Sequence, residues 1–112
     1  MVALGVARLL RDMHAAKKPI GAICIAPALV ATVLGATVHP TLTIGRDPGT
    51  AAALEQLGAH HRDCAVTDCV VDVDHRIVST PAYMYEAKVH EVAQGIGKLV
   101  DALVAMLEGG TR

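Results

Sequence analysis

An apolar stretch from residue 19 to residue 35, PIGAICIAPALVATVLG, constrains the fold of this chain more than any other feature. Its first part, with Ile20, Ala22 and Ile23, is typical of a buried parallel strand. Its second part begins with Pro27 and continues with apolar residues at helical spacing, which predicts a helix. The pattern therefore places Cys24 in the turn between a strand and a helix.

This turn gives Cys24 two possible roles. A thiol just before a helix lies near its unpaired backbone N–H groups and the positive end of its macrodipole, and both favour the thiolate. Such a residue would be a nucleophile. Free cysteine is also among the most frequently buried residue types, so spacing alone leaves a structural cysteine as an open alternative.

The same region admits a membrane interpretation, because the twenty residues from Pro19 to Val38 carry no charge and follow two lysines. Pro27 and Gly35 interrupt that run, and a strand followed by a helix explains the same residues with ordinary turn signals. We therefore expect no membrane partner.

Composition narrows the class of protein further. A chain of 112 residues with 53% hydrophobic residues and a net charge of −1 fits one domain over residues 1–112. The ten Lys and Arg residues are scattered and Trp and Phe are absent, which argues against a nucleic-acid partner. Three cysteines without a recognisable secretory signal predict free thiols in a reducing compartment, and hence a cytoplasmic location.

The rest of the chain alternates helical and strand patterns, which predicts an α/β fold. Gly35 is expected to end the second helix, and either Asp47 or Thr50 is expected to cap the third. Gly95 and Gly97 suggest close packing of the last helix. The expected segments are a helix over 2–16, strands at 20–23 and 42–44, a helix ending at Gly58, a polar loop over 59–63, a hairpin of 69–73 with 77–80, and a final helix starting soon after Pro81.

Two further groups of residues are candidates for chemistry. Zinc would accept the side chains of His60, His61, Cys64 and Cys69, but their spacing matches no common zinc module, and we predict no metal. A loop histidine near Cys24 could instead serve as a general base. The loop with Thr80, Pro81 and Tyr83 joins a strand end to a helix, where α/β proteins gather ligands, so it is a candidate pocket wall.

Several motifs in this order resemble the ThiJ/PfpI superfamily, and within it the ElbB group of isoprenoid-biosynthesis glyoxalases. The motifs are KPIGAICIAPALVATVL, LTIGRD, LEQLGAHH and IVSTPAYMYEAKVHEVAQGIGKLVDAL, and they extend over essentially the whole chain. The resemblance implies a flavodoxin-like, class I glutamine amidotransferase-like fold, which is a three-layer α/β sandwich.

The resemblance also implies roles for individual residues. Cys24 matches the cysteine of the family's nucleophile elbow, the amides of Ile25 and Ala26 are where an oxyanion would be held, and His61 matches the histidine of the G-A-x-H pattern. Ile25 replaces a histidine found in the protease-like branch. The implied activity is therefore a cofactor-independent conversion of a small aldehyde such as glyoxal into a hydroxy acid, in an enzyme expected to form a homo-oligomer.

One departure from the family pattern is large. The family's first strands, the glutamate that hydrogen-bonds the nucleophile, and its P-G-G-F-G loop have no counterpart here, so we expect this chain to match the C-terminal part of such a protein. The strand Ile20–Ile23 should then have an unpaired edge. This leaves an alternative function, a non-catalytic module that associates through that edge. The chain has four glutamates, and none is an obvious replacement for the missing acid: Glu55, Glu86, Glu91 and Glu108.

Overall fold

A computed structural model describes residues 3 to 108 of the chain. Four α-helices and five strands lie in this range, and helices and strands alternate up to β3, as the α/β pattern predicts. No helix in this range is both long and apolar enough to cross a membrane. The elements are α1 (Leu4–Ala15), β1 (Ile20–Ile23), α2 (Ala26–Val38), β2 (Thr41–Leu42), α3 (Pro48–Gln56), β3 (His60–His61), β4 (Val70–Asp72), β5 (Ile77–Thr80) and α4 (Val89–Glu108), with a short 3₁₀ helix at Ala82–Met84.

The strands form two small sheets, one of three strands and one of two. In the first, β1 pairs with β5 in parallel, and β5 pairs with β4 as an antiparallel hairpin. In the second, β2 pairs with β3 in parallel. The parallel strand and the hairpin predicted from the sequence are both confirmed. The predicted burial of β1 holds for Ile20 and Ala22, whereas Gly21 and Ile23 are exposed.

The two faces of β1 are covered by different helices, which gives the layers of the fold. Ile20 and Ala22 are buried in a cluster with Val30 and Leu34 of α2. On the other face, a Cβ at Gly21 would lie 2.7 Å from Leu103 of α4. The sheet thus lies between α2 on one side and α4 on the other, and the predicted three-layer α/β arrangement is confirmed.

The predicted end of α2 at Gly35 is wrong, because the helix continues to Val38 and closes at His39 in the left-handed conformation, with φ of 56°. Gly35 is required for packing. A Cβ there would lie 2.3 Å from the Leu57 carbonyl oxygen, and a Cβ at Gly58 would lie 2.4 Å from the Gly35 carbonyl oxygen. The two glycines let α2 and the end of α3 approach closely.

The predicted polar loop over 59–63 is also wrong. His60 and His61 form β3, and its neighbouring amides continue the pairing, since His60 N–H donates to Pro40 O and Arg62 N–H donates to Leu42 O. Backbone pairing with β2 outweighs the polar side chains here. β2 itself is Thr41–Leu42 rather than residues 42–44.

The helix boundaries near Asp47 and Pro81 have different outcomes. Asp47 caps α3, because its carboxylate accepts from Thr50 N–H at 2.9 Å, so the first of the two predicted caps is confirmed. The last helix begins at Val89 and not soon after Pro81, because the 3₁₀ helix intervenes. Gly95 is closely packed, since a Cβ there would lie 2.2 Å from the Val66 carbonyl oxygen, whereas Gly97 has open space.

Asp72 links the two sheets, because it lies on β4 of one and binds the backbone of β2 in the other. Its Oδ2 accepts from the backbone N–H of Thr41 on β2 at 2.7 Å and lies 2.8 Å from His75 Nδ1, while Oδ1 accepts from His75 N–H. Burial acts to raise the pKa of the Asp72 carboxyl, but the hydrogen bonds from Thr41 and His75 outweigh it, and the pKa is lowered. Ser79 adds a second link, because its hydroxyl accepts from Thr43 N–H at 3.0 Å.

We expect Asp72→Asn to lower the free energy of unfolding by about 2 kcal/mol, because it weakens charge-assisted bonds to a buried carboxylate. The Asp72 pKa is lower in the folded state, so its contribution is complete above the unfolded pKa of about 4 and is lost as pH falls through the folded pKa. Urea unfolding at pH 7 and below pH 4 measures both effects. Asp74→Asn, on the same turn but exposed, is the control; an equal loss in both variants would contradict the role given to Asp72.

Candidate functional site

Cys24 occupies a sharp turn between β1 and α2. Its φ of 66° lies in the left-handed region, which residues other than glycine rarely adopt. Its backbone N–H donates to the Thr80 carbonyl at 3.0 Å, which extends the β1–β5 ladder by one bond. The thiol-bearing residue is half-buried. The predicted position of Cys24 between strand and helix is confirmed.

The left-handed conformation of Cys24 differs in kind from most others in the chain. Lys17 and His39 follow helix ends and Arg76 lies in the hairpin turn, where such a φ is ordinary. Cys24 instead lies in the two-residue turn between strand β1 and helix α2. A strained residue at a strand–turn–helix junction is the conformation in which nucleophile elbows expose a reactive side chain.

The N-terminus of α2 follows Cys24 immediately. Ile25 is the N-cap residue and Ala26 the first helical residue, and no side chain caps this end of the helix. Pro27 has no N–H to donate, and Ala28 N–H already donates to Ile25 O at 2.9 Å. The amides of Ile25 and Ala26, predicted to hold an oxyanion, therefore lie at a helix end that favours negative charge.

The loop after β5 lies at the same end of the strands as Cys24, because Ile23 at the end of β1 is in register with Thr80 at the end of β5. Thr80 is fully buried, and its hydroxyl donates to the Asp68 carbonyl at 2.7 Å. Pro81 is buried as well, whereas Tyr83 is 58% exposed. Of the three residues predicted to line a pocket, Thr80 contacts the elbow through its carbonyl oxygen, and Tyr83 is the one whose side chain is open to a ligand.

His61 lies on β3 and is well buried, with 4% of its side chain exposed. Its Nε2 accepts from Ile44 N–H at 3.2 Å, and its Nδ1 lies 3.7 Å from the Asp63 carboxylate. The role of His61 as a general base stays a prediction. In that role its Nε2 would have to release the Ile44 amide.

The other two thiols are in different surroundings. Burial, with added repulsion from Asp68 and Cys69, raises the pKa of Cys64 to about 11, although Lys98 partly opposes this. Burial also raises the pKa of Cys69. Both are thiols at neutral pH. Within residues 3–108, no three His, Cys, Asp or Glu side chains are arranged to hold a metal ion, and this includes the four zinc candidates.

The sequence did not reveal the pair of Tyr85 and Arg46, which orders the loops at the carboxyl end of the strands. The Tyr85 hydroxyl donates to the Cys64 carbonyl, and the Arg46 guanidinium lies 5.2 Å from the centre of the Tyr85 ring. Tyr85 also contacts the position of a Cβ at Gly45, whose φ is 104°. The only available signal was a second tyrosine two residues after Tyr83.

A groove of about 610 Å³ lies elsewhere, between the end of α1 and the hairpin turn. Ile20 N–H donates to Arg76 O, and Arg76 lines the groove, so the groove lies at the end of the sheet where β1 and β5 begin. Cys24 is at the opposite end of β1, and the groove is not part of its site. The lining residues are His14, Ala15, Lys17, Val73, Asp74, His75 and Arg76.

Comparison with known proteins gives relatives but no match to a family model. The chain is 42% identical over 107 residues to the mitochondrial ES1 protein homolog of Rattus norvegicus, an alignment with 90% of this chain and 40% of the relative. It is 44% identical over 101 residues to the mitochondrial glutamine amidotransferase-like class 1 domain-containing protein 3 of Homo sapiens, with 85% of this chain and 38% of the relative.

A solved structure is also similar. An isoprenoid biosynthesis protein with an amidotransferase-like domain, from Ehrlichia chaffeensis, matches with a TM-score of 0.86 and 34% identity. The match covers 91% of this chain and 47% of that protein. This chain therefore spans less than half the length of the proteins it resembles.

These findings confirm the resemblance predicted from the sequence: the chain has the class I glutamine amidotransferase-like fold and is related to ES1 and ElbB-type isoprenoid biosynthesis proteins. The predicted cytoplasmic location is wrong, because the curated relatives, including the ES1 protein of Danio rerio, are named mitochondrial.

We expect Cys24→Gly to be more stable than Cys24→Ala by about 1 kcal/mol, because glycine adopts a positive φ without the steric cost that a Cβ carries. Thermal or urea unfolding of both variants measures the difference. The matched control pair is Cys69→Gly and Cys69→Ala. Cys69 is outside the left-handed region, so Cys69→Gly should be the less stable of these two variants. Equal stability of the two Cys24 variants would mean that the turn is not strained.

Proposed function

We propose that Cys24 is the nucleophile of a cofactor-independent, glyoxalase-type reaction that converts a small reactive aldehyde into a hydroxy acid. The observation that carries the proposal is the left-handed strand-to-helix turn that presents Cys24 at the uncapped N-terminus of α2. The relationship to ElbB-type proteins supports the same interpretation. We also propose that the protein acts in the mitochondrial compartment for which its relatives are named.

The reaction balances without an external oxidant. The Cys24 thiolate adds to one carbonyl carbon of glyoxal and forms a hemithioacetal. A base removes the proton on that carbon, and protonation of the neighbouring carbon leaves a thioester next to a hydroxymethyl group. One carbon is thereby oxidised and the other reduced. Water then cleaves the thioester, which gives glycolate and restores the thiol.

The chain supplies several of the groups that this sequence of steps requires. The amides of Ile25 and Ala26 would stabilise the oxyanion formed when the thiolate adds. Tyr83 would contact the substrate from the opposite loop, and Thr80 and Pro81 would hold that loop in place. His61 is our candidate for proton transfer, although its Nε2 is occupied by Ile44 N–H in this conformation.

A second candidate function is a non-catalytic module that associates through a strand edge. The observation in its favour is the position of β1 at the end of its ladder, with β5 on one side only within residues 3–108. The two functions are distinguished by turnover, since an association module has no need for the Cys24 thiol.

We expect glyoxal to be converted to glycolate by this chain joined to the remainder of an amidotransferase-like fold, and Cys24→Ala to lower kcat/KM by on the order of 10³-fold or more. The protein is first treated with a chelator, which should not reduce turnover, and the glycolate that it forms is then measured chromatographically. Cys69→Ala is the matched control and should retain activity. Turnover that survives Cys24→Ala, or no turnover in any form of the protein, would contradict the proposal.

A further inference from the structure

The outer edge of β1 is open within residues 3–108. β1 is the terminal strand of the β1–β5–β4 ladder, and no strand within residues 3–108 pairs with its other side. Ile20 N–H donates to Arg76 O and Cys24 N–H donates to Thr80 O, so the even-numbered residues face β5. In a parallel ladder the alternate residues point the other way. The backbone groups of Gly21 and Ile23 therefore face the open edge.

The helix on one side of this edge has an apolar surface. Lys98 lies 3.9 Å from the Asp68 carboxylate, which precedes β4 on the far side of the sheet. Val100 lies about 200° from Lys98 around the helix axis, with buried Leu99 between them, so it faces the β1 side. Val104 and Leu107 continue the same stripe, and all three are exposed: Val100 by 47%, Val104 by 44%, Leu107 by 63%.

The opposite face of the edge has a similar surface on α1, which packs against β1 and α2. Leu10 of this helix contacts the core, while Val6, Leu9 and Met13 are exposed at helical spacing and form the α1 stripe. Ile23 of the strand itself is 37% exposed. Exposed apolar side chains thus occur on the helices that pack on each face of β1, beside a strand edge with unpaired backbone groups, and such a surface is typical of a binding site for another polypeptide.

We infer that the open β1 edge, with the α4 stripe and the α1 stripe, is the docking surface for the portion of an amidotransferase-like fold that this chain does not span. The related structure from Ehrlichia chaffeensis superimposes on 91% of this chain, a match that covers only 47% of that protein. The strand edge requires a β-strand with main-chain donors and acceptors. The two stripes require apolar helices or loops that flank that strand. A polypeptide with such a strand and its own helices meets both requirements.

The inference concerns association, so it is independent of the glyoxalase proposal and is tested by binding. The unmatched portion of the Ehrlichia chaffeensis protein, and separately that of the human relative, is co-expressed with this 112-residue chain. Only one of the two polypeptides carries an affinity tag. Co-expression allows a portion that does not fold alone to be captured as it folds.

We expect a 1:1 complex that survives gel filtration, and slower hydrogen exchange at the amides of Gly21 and Ile23 than in this chain alone. Ile23→Pro removes an N–H from the open edge and none that is bonded to β5, and Val104→Lys adds a charge to the α4 stripe. Each should weaken the complex by about tenfold or more. Val73→Lys, at an exposed site on the hairpin turn, is the control and should leave binding unchanged.

Four results would overturn the inference. The first is a complex that is insensitive to Ile23→Pro and Val104→Lys. The second is no complex with either portion, together with a dimer of this chain in sedimentation and protection of the same two amides, because the occupant would then be a second copy. The third is no complex and adsorption of the chain to phosphatidylcholine–cardiolipin vesicles that Val104→Lys abolishes. Absence of any complex, dimer or vesicle binding would equally refute it.

Discussion

The parallel hydrogen-bonded ladder between β1 and β5 is the interaction on which the candidate site depends. Its last bond, from Cys24 N–H to Thr80 O, fixes the position of the backbone at the point where β1 must turn into α2. Only Cys24 and Ile25 separate β1 from α2, and Cys24 takes a φ of 66° where the chain changes direction. The same bond holds the start of the loop with Pro81 and Tyr83 next to the backbone of Cys24.

Buried polar contacts hold the elements around this ladder together along its whole length, from Asp72 at the end opposite Cys24 to Thr80 beside it. Asp72 and Ser79 attach β2 to the hairpin through the backbone amides of Thr41 and Thr43. The Thr80 hydroxyl and the Tyr85 hydroxyl each donate to a carbonyl of the segment before β4. Because these groups are satisfied inside the protein, the strand ends that flank Cys24 keep one arrangement.

Much of this arrangement follows from local sequence. The strand, the turn at Cys24, the Asp47 cap and the β4–β5 hairpin depend on neighbouring residues, whose spacing is visible along the chain. The role of Cys24 as a nucleophile came from resemblance, since spacing left a structural cysteine equally open. The left-handed conformation that now supports this role is a property of backbone geometry.

What could not be predicted depends on contacts between distant residues. β3 forms at two histidines because Thr41 and Leu42 offer backbone partners, and α2 passes Gly35 because the glycine packs against Gly58. Thr80 was predicted as a ligand contact, but its side chain lies between Asp68 and Gly95. Side-chain direction at a strand end is set by the helix above the sheet, which local spacing does not show.

The rate at which iodoacetamide alkylates each of the three cysteines at pH 7, followed by mass spectrometry of peptides, tests directly whether the turn after β1 holds the nucleophile. We expect Cys24 to react first. Cys24 and Cys69 are both half-buried, but only Cys24 lies at a helix N-terminus, while burial raises the pKa of Cys69 and raises that of Cys64 to about 11. Faster alkylation of Cys64 or Cys69 than of Cys24 would contradict the claim that this turn presents the nucleophile.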